Sequence, residues 1–150
     1  MTAVTPPTGS RPAFDSVAVG DELPAVSYPV VRFDLVRYAG ASGDFNLIHW
    51  NERFATSVGL PNVIVHGMFT MATGGRFVSD WAGDPGAILE YGVRFTNMIP
   101  VPDDGQGATI EVTGKITAKD EAARTATVLL TAHAGGQKVL GKASAVVRLP

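Results

Sequence analysis

At Gly83-Asp84-Pro85-Gly86 the periodicity of the chain changes, and this change limits the fold more than any other feature. Before it, Met68, Met71, Ala72, Gly75, Val78 and Ala82 recur at three- and four-residue steps within Val63 to Ala82, the spacing of a long helix. Phe69, Phe77 and Trp81 widen the apolar face almost all the way round, so the helix is expected to be buried on most sides. From Ala87 onward apolar residues alternate instead. Ile88 to Met98, Thr109 to Thr117, Arg124 to His133 and Lys138 to Leu149 read as four strands. The turns between them fall at Pro100 to Gly105, Lys119-Asp120-Glu121 and Gly135-Gly136, and the last of these is a tight hairpin signal.

Upstream, Ala25 to Val31 alternates as a strand, and Pro29 places it at an edge or an irregular start. Phe33 to Ala41 has the spacing of a short helix ended by Gly40 and Gly43, and Asp44 to Trp50 reads as a loop. Asn51 can cap a second short helix, Glu52 to Val58, which stops at Gly59. One sheet around one buried helix satisfies this order. The expected class is α+β, an antiparallel sheet wrapped around one long central helix on its concave face. Residues 1–13, with Pro6, Pro7, Gly9 and Pro12, are expected to be a disordered tail. Residues 14–150 are expected to form a single domain.

Composition removes several function classes. A net charge of −2 gives no footprint for nucleic acid or an anionic membrane. The absence of cysteine excludes disulfides and thiolate metal sites. No signal-peptide core and no apolar run near ~20 residues is visible, so a cytoplasmic location is the default expectation. Charged residues make up only 17%, below the roughly 25% of an average domain. Some apolar surface is therefore expected to be covered by another subunit.

The chemistry is concentrated in Gly43-Asp44-Phe45-Asn46-Leu47-Ile48-His49. An Asp and a His sharing an apolar pocket can hold a water and move a proton at a carbon next to a carbonyl. Leu47, Ile48 and Trp50 make burial of the pair reasonable, and Asn46 and Asn51 offer neutral hydrogen bonds that orient it without cancelling its charge. The competing reading is an Asp capping local amides beside a His packed under the sheet. Val65-His66-Gly67-Met68 lies at the start of the long pattern. Amides at a helix N-terminus carry partial positive charge, and Gly67 lets a substrate approach the backbone. A thioester carbonyl bonded to that amide would be polarised, typically by about 3 kcal/mol in the transition state. Alternatively, Gly67 only permits a tight start to the helix.

His66 is expected to cap the helix or pair with a nearby carbonyl, and His133 to be structural or exposed. Gly74-Gly75 inside the helix serves close packing against the sheet, room for a long acyl chain, or both. No third ligand at sensible spacing joins His49 and His66, so no metal is expected. Gly105-Gln-Gly107 lacks the context of a dinucleotide loop, and Ser42 lacks a nucleophile elbow.

Tyr38 to His49, followed by Ile64-Val65-His66-Gly67-Met68, resembles the MaoC-like, R-specific enoyl-thioester hydratase family. Val93-Arg94-Phe95, Pro100-Val101-Pro102 and Val146 to Pro150 fit the same pattern, so the resemblance spans about residues 15 to 150. Within the family the chain is most similar to the catalytic B-subunit type of mycobacterial (3R)-hydroxyacyl-acyl-carrier-protein dehydratase. The points of likeness are Trp50, Gly74-Gly75 and the Gly83-to-Ala87 turn. The resemblance implies a hotdog fold, dimerisation through the sheet and a substrate tunnel at the subunit interface. It implies that Asp44 and His49 are the catalytic pair, Gly67 the carbonyl-binding amide, and Asn46 a further substrate contact. No cofactor is implied.

The expected reaction is reversible dehydration of a 3-hydroxyacyl thioester, carried on acyl carrier protein in fatty acid elongation or on coenzyme A in β-oxidation or polyester precursor supply. The expected assembly is a homodimer, or a heterodimer with a second hotdog subunit. A hotdog thioesterase would need an acid on the long helix, where Asp80 is far from the N-terminal end. A non-catalytic partner subunit would not need the Asp–His pair. Leu47 stands where many members have Pro, and Gly75 where some have Ser.

Overall fold

The computed structural model describes residues 11–150. Of the expected N-terminal tail, residues 1–10 lie outside the described residues, and Arg11 pairs with Asp84 at 3.3 Å. The elements are β1 (Glu22–Val30), α1 (Arg32–Ser42), α2 (Glu52–Ser57), α3 (Gly67–Ala82), β2 (Ile88–Phe95), β3 (Ala108–Asp120), β4 (Thr125–Ala134) and β5 (Gln137–Arg148). The strands form one five-stranded sheet in the order β1-β3-β4-β5-β2, antiparallel throughout. The fold is the expected α+β hotdog. β1 is an edge, in keeping with Pro29, which has no N–H for a second neighbour. The β4–β5 hairpin turns at Gly135 and Gly136, both with positive φ (55° and 75°), the geometry its two-residue turn requires.

The helix α3 touches all five strands. Phe77 and Val78 of α3 are buried in one core with Ile110, Val112 and Ile116 of β3 and Val128 and Leu130 of β4. The alternation read in β3 matches its burial residue by residue. Gly114 lies inward among them, where a Cβ would stand 2.9 Å from the Phe77 ring, so the missing side chain is what lets Phe77 reach the sheet.

Two expectations for the long pattern are corrected. The helix begins at Gly67, not Val63. Val63 to Val65 is extended instead. Val65 N–H donates to Ile99 at 2.9 Å, Val101 N–H donates to Val63 at 2.8 Å, and Ile64 bridges Pro100. Three consecutive β-branched residues accept that pairing more readily than a helical turn. The buried stripe is also rotated: Thr70, Thr73, Gly74, Phe77, Val78 and Ala82 face inward, while Met68, Ala72 and Arg76 are exposed. Thr70 and Thr73 stand outside the apolar spacing. Their hydroxyls bond back to the helix, Thr73 to the Phe69 carbonyl at 2.9 Å and Thr70 to that of His66 at 3.4 Å, and so enter the core satisfied.

The space beside Gly74-Gly75 is filled. Tyr91 of β2 lies over both glycines, and its hydroxyl donates to the Met71 carbonyl at 2.7 Å. Burial pushes that phenol up to about 12, so it stays a donor. Of the two expected uses of the glycine pair, packing against the sheet is the one realised.

Candidate active site

The site is built from a helix end, a loop and a second helix start. Helix α1 stops at Gly43, whose left-handed backbone (φ 75°) lets its N–H reach the Ala39 carbonyl at 2.9 Å. The loop that follows is held by its own side chains. Asp44 N–H donates to Ser42 Oγ at 3.2 Å, Asn46 N–H to Asp44 Oδ1 at 3.2 Å, and Ile48 N–H to Asn46 Oδ1 at 3.3 Å. The last bond caps a single 3₁₀ turn, Leu47–His49. Trp50 Nε1–H closes the loop on the Phe45 carbonyl at 3.1 Å. The Asn51 side chain takes no part in this network; its Oδ1 caps α2 through Phe54 N–H at 3.0 Å.

His49 is buried and its Nδ1 lies 2.7 Å from the Ile64 carbonyl. A carbonyl only accepts, so the neutral ring carries its proton on Nδ1 and leaves Nε2 as a lone pair. Nε2 faces Asp44 Oδ2 at 3.9 Å. Both atoms are acceptors, and the gap is too long for a direct bond. A water with legs of about 2.8 Å reaches both. The expected convergence of Asp44 and His49 is thus present, but its surroundings differ from expectation. Asp44, Phe45, Asn46 and Trp50 are exposed in the single chain, and only His49 is buried.

His66 occupies the N-cap position of α3 without a side-chain cap. Its Nε2 lies 3.1 Å from the Asp44 carbonyl, so it does pair with a carbonyl. Its ring stacks on His49 with centroids 3.7 Å apart and planes 19° apart. Burial holds its pKa below the ordinary histidine value, against the opposing pull of the Asp44 carbonyl bond. The structure does bring a third polar group to the two histidines: ligand atoms of Asp44, His49 and His66 lie within 4.8 Å of one another. The two rings are stacked, and His66 Nε2 is held at a carbonyl. His133 is exposed on β4.

Gly67 is the first residue of α3, so its N–H has no partner within the helix. It shares with His49 a cleft of about 290 Å³, further lined by Thr70, Phe95, Met98 and Val139. Phe95 lays its ring face over Gly67: a Cβ built there would lie 3.5 Å from three of the ring carbons. Thr96 and Asn97 both donate to the Lys138 carbonyl, at 2.6 and 2.7 Å, and fix this wall to the β4–β5 hairpin. The Ile64 carbonyl and Phe95 were not legible as site groups. The first is backbone, and the second had only its place in Val93-Arg94-Phe95 as a signal.

A family model described as MaoC like domain matches residues 15–134. A solved structure described as a MaoC-like dehydratase superposes with a TM-score of 0.90 at 48% identity, covering 93% of this chain and 43% of that one. An (R)-hydratase from A. caviae involved in PHA biosynthesis superposes with a TM-score of 0.79 at 25% identity, covering 90% and 98%. The 3-hydroxyacyl-thioester dehydratase X of Mycobacterium tuberculosis is 38% identical over 79 residues, 55% of this chain and 27% of that protein. The chain spans only 3–27% of the length of the curated relatives it matches.

Proposed function

The chain belongs to the MaoC-like domain family, and from that premise we propose that it is a hydro-lyase interconverting (3R)-hydroxyacyl and 2-enoyl thioesters. The observation that carries this reading is the pair of acceptors, Asp44 Oδ2 and His49 Nε2, 3.9 Å apart beside the first amide of α3. In the hydration direction a water donates to both acceptors and attacks carbon 3 of the enoyl group. One of its protons passes to the pair, and the pair returns a proton to carbon 2. In dehydration the pair takes the proton from carbon 2, electrons move toward the thioester oxygen, and the hydroxyl leaves from carbon 3 as water with the proton the pair returns. The pair ends each cycle as it began. Gly67 N–H stabilises the enolate-like oxygen. Asn46 holds the Asp44 carboxylate through its backbone N–H and offers its carboxamide to the substrate hydroxyl.

The proposed carrier is acyl carrier protein in chain elongation of the fatty acid type. The similarity to 3-hydroxyacyl-thioester dehydratase X supports the substrate class, a 3-hydroxyacyl thioester. The similarity to an (R)-hydratase involved in PHA biosynthesis supports the second reading, polyester precursor supply, for which the proposed carrier is coenzyme A. The proposed assembly is a dimer, with itself or with a second hotdog chain. Phe95, Met98 and Met68 beside the cleft are each at least half exposed, as are Phe45 next to Asp44 and Phe33 and Val36 on α1. Apolar surface so concentrated around a reaction site is expected to be covered.

The deciding experiment is turnover of 2-enoyl thioesters of graded length, on coenzyme A and on acyl carrier protein, with product chirality determined. An R-configured 3-hydroxy product is expected. An S product, or thiol release without hydration, overturns the reading.

A further inference from the structure

Both members of the proposed acid–base pair rest on one side chain that the reaction itself does not use. His66 is 1% exposed. Its Nε2 bonds the backbone carbonyl of Asp44 at 3.1 Å, and its ring lies flat on His49 at 3.7 Å. Tyr38 of α1 closes on its ring with centroids 4.8 Å apart, and Phe69 backs Tyr38 edge-on at 5.4 Å. We infer that His66 is a positioning residue: its Nε2–H anchors the Asp44 loop while its ring face seats the His49 imidazole, and together these set the 3.9 Å gap.

Three features point to a role beyond filling space. A helix N-cap is ordinarily taken by Ser, Thr, Asp or Asn, which bond the first amides; His66 stands there and makes no such bond. Its Nδ1 is the one buried side-chain nitrogen or oxygen among the described residues without a hydrogen-bond partner. Such an atom is destabilising, and an apolar side chain would avoid it. The bond it does make goes to the backbone of the residue whose carboxylate faces His49. The titratable groups facing His66 are Asp44 and His49 from the loop before α2 and Tyr38 from α1; α3 contributes the Thr70 hydroxyl. A proton on Nδ1 would have no acceptor and would put a second cation against His49. His66 therefore remains neutral while His49 cycles its proton.

The inference rests on the Asp44–His49 reading, and its test separates the two. His66→Phe keeps a flat ring but loses the donor; His66→Gln keeps a donor but loses the ring. With an (R)-3-hydroxyacyl-coenzyme A as probe, His66→Phe is expected to lower kcat on the order of 10- to 100-fold, the cost of displacing reacting groups by about 1 Å. KM should stay within about threefold, since ground-state contacts are untouched. His66→Gln should recover part of that loss. Nitrogen-15 NMR of the wild-type chain should show His66 as the neutral Nε2–H tautomer at neutral pH.

A cooperatively folded His66→Phe variant with wild-type kcat overturns the inference, as does a Gln variant no better than Phe. So does a wild-type His66 that carries its proton on Nδ1, or on both nitrogens, at neutral pH, a readout that needs no activity and holds even where a variant does not fold. Full activity in Asp44→Asn and His49→Gln would instead sink the underlying site reading, with the His66 tautomer still measurable.

Discussion

The Nδ1 of His49 lies 2.7 Å from the carbonyl oxygen of Ile64, and the next bond along, Ile64 N–H to the Ile48 carbonyl, is 3.1 Å. This reciprocal contact joins the loop before α2 to the strand-like segment before α3. It fixes the ring's tautomer and its direction at once, and it leaves Nε2 as the atom that meets Asp44.

His49→Gln and Asp44→Asn should each reduce turnover at least ~100-fold, the usual contribution of a positioned acid–base group. Circular dichroism and the melting transition should stay close to wild type, because Asp44 is exposed and Gln can occupy the imidazole's space. Turnover is followed by enoyl-thioester absorbance.

Gly67→Pro isolates the proposed carbonyl-binding amide. Proline is tolerated at the first position of a helix. His66 already has the extended backbone (φ −59°, ψ 134°) that a following proline requires. The variant should fold, lose the N–H, and show a kcat reduced about 100- to 1,000-fold. A folded Gly67→Pro enzyme with near-normal kcat would remove Gly67 from the mechanism.

Phe95→Ala enlarges the cleft where the ring face covers Gly67. The ratio of kcat/KM for long over short acyl thioesters should rise by about 10-fold, the order of one methylene in an apolar pocket. An unchanged ratio places the acyl chain elsewhere.

Gly74→Ala and Gly75→Ala should differ in stability. A Cβ on Gly74 collides with the Tyr91 hydroxyl and displaces its bond to Met71, whereas one on Gly75 meets the Tyr91 ring edge at 3.3 Å. Denaturant unfolding should show a loss of about 1–3 kcal/mol for Gly74→Ala and a smaller one for Gly75→Ala.

His66 makes folding stability depend on pH with a defined sign. Its folded pKa lies below its unfolded value, so between the two the unfolded chain binds more protons. Its contribution is fully present above about pH 6.5 and is lost as pH falls through the folded pKa. In denaturant titrations His66→Gln should flatten that acid-side slope. An identical slope would mean His66 is not buried neutral.

The chain's own pattern was sufficient for the architecture. The switch of period at Gly83 to Gly86, the alternation in β3 and the glycine turn of β4–β5 are local signals, and local signals survive without neighbours. That Asp44, His49 and Gly67 lie together was also readable, because their residue types and spacing are what the proposed chemistry requires. The sequence could not say which face of α3 is buried, because two threonines become core residues only after bonding to carbonyls of their own helix. Nor could it say that Val63 to Val65 is extended, since a β-branched run joins a helix or a strand according to what lies beside it, here Ile99 to Val101.

The tautomer of His49, the 3.9 Å gap and the seat of His66 belong wholly to the tertiary structure. They depend on backbone carbonyls, of which every residue has one, and only the packing of distant segments decides which of them a ring will meet.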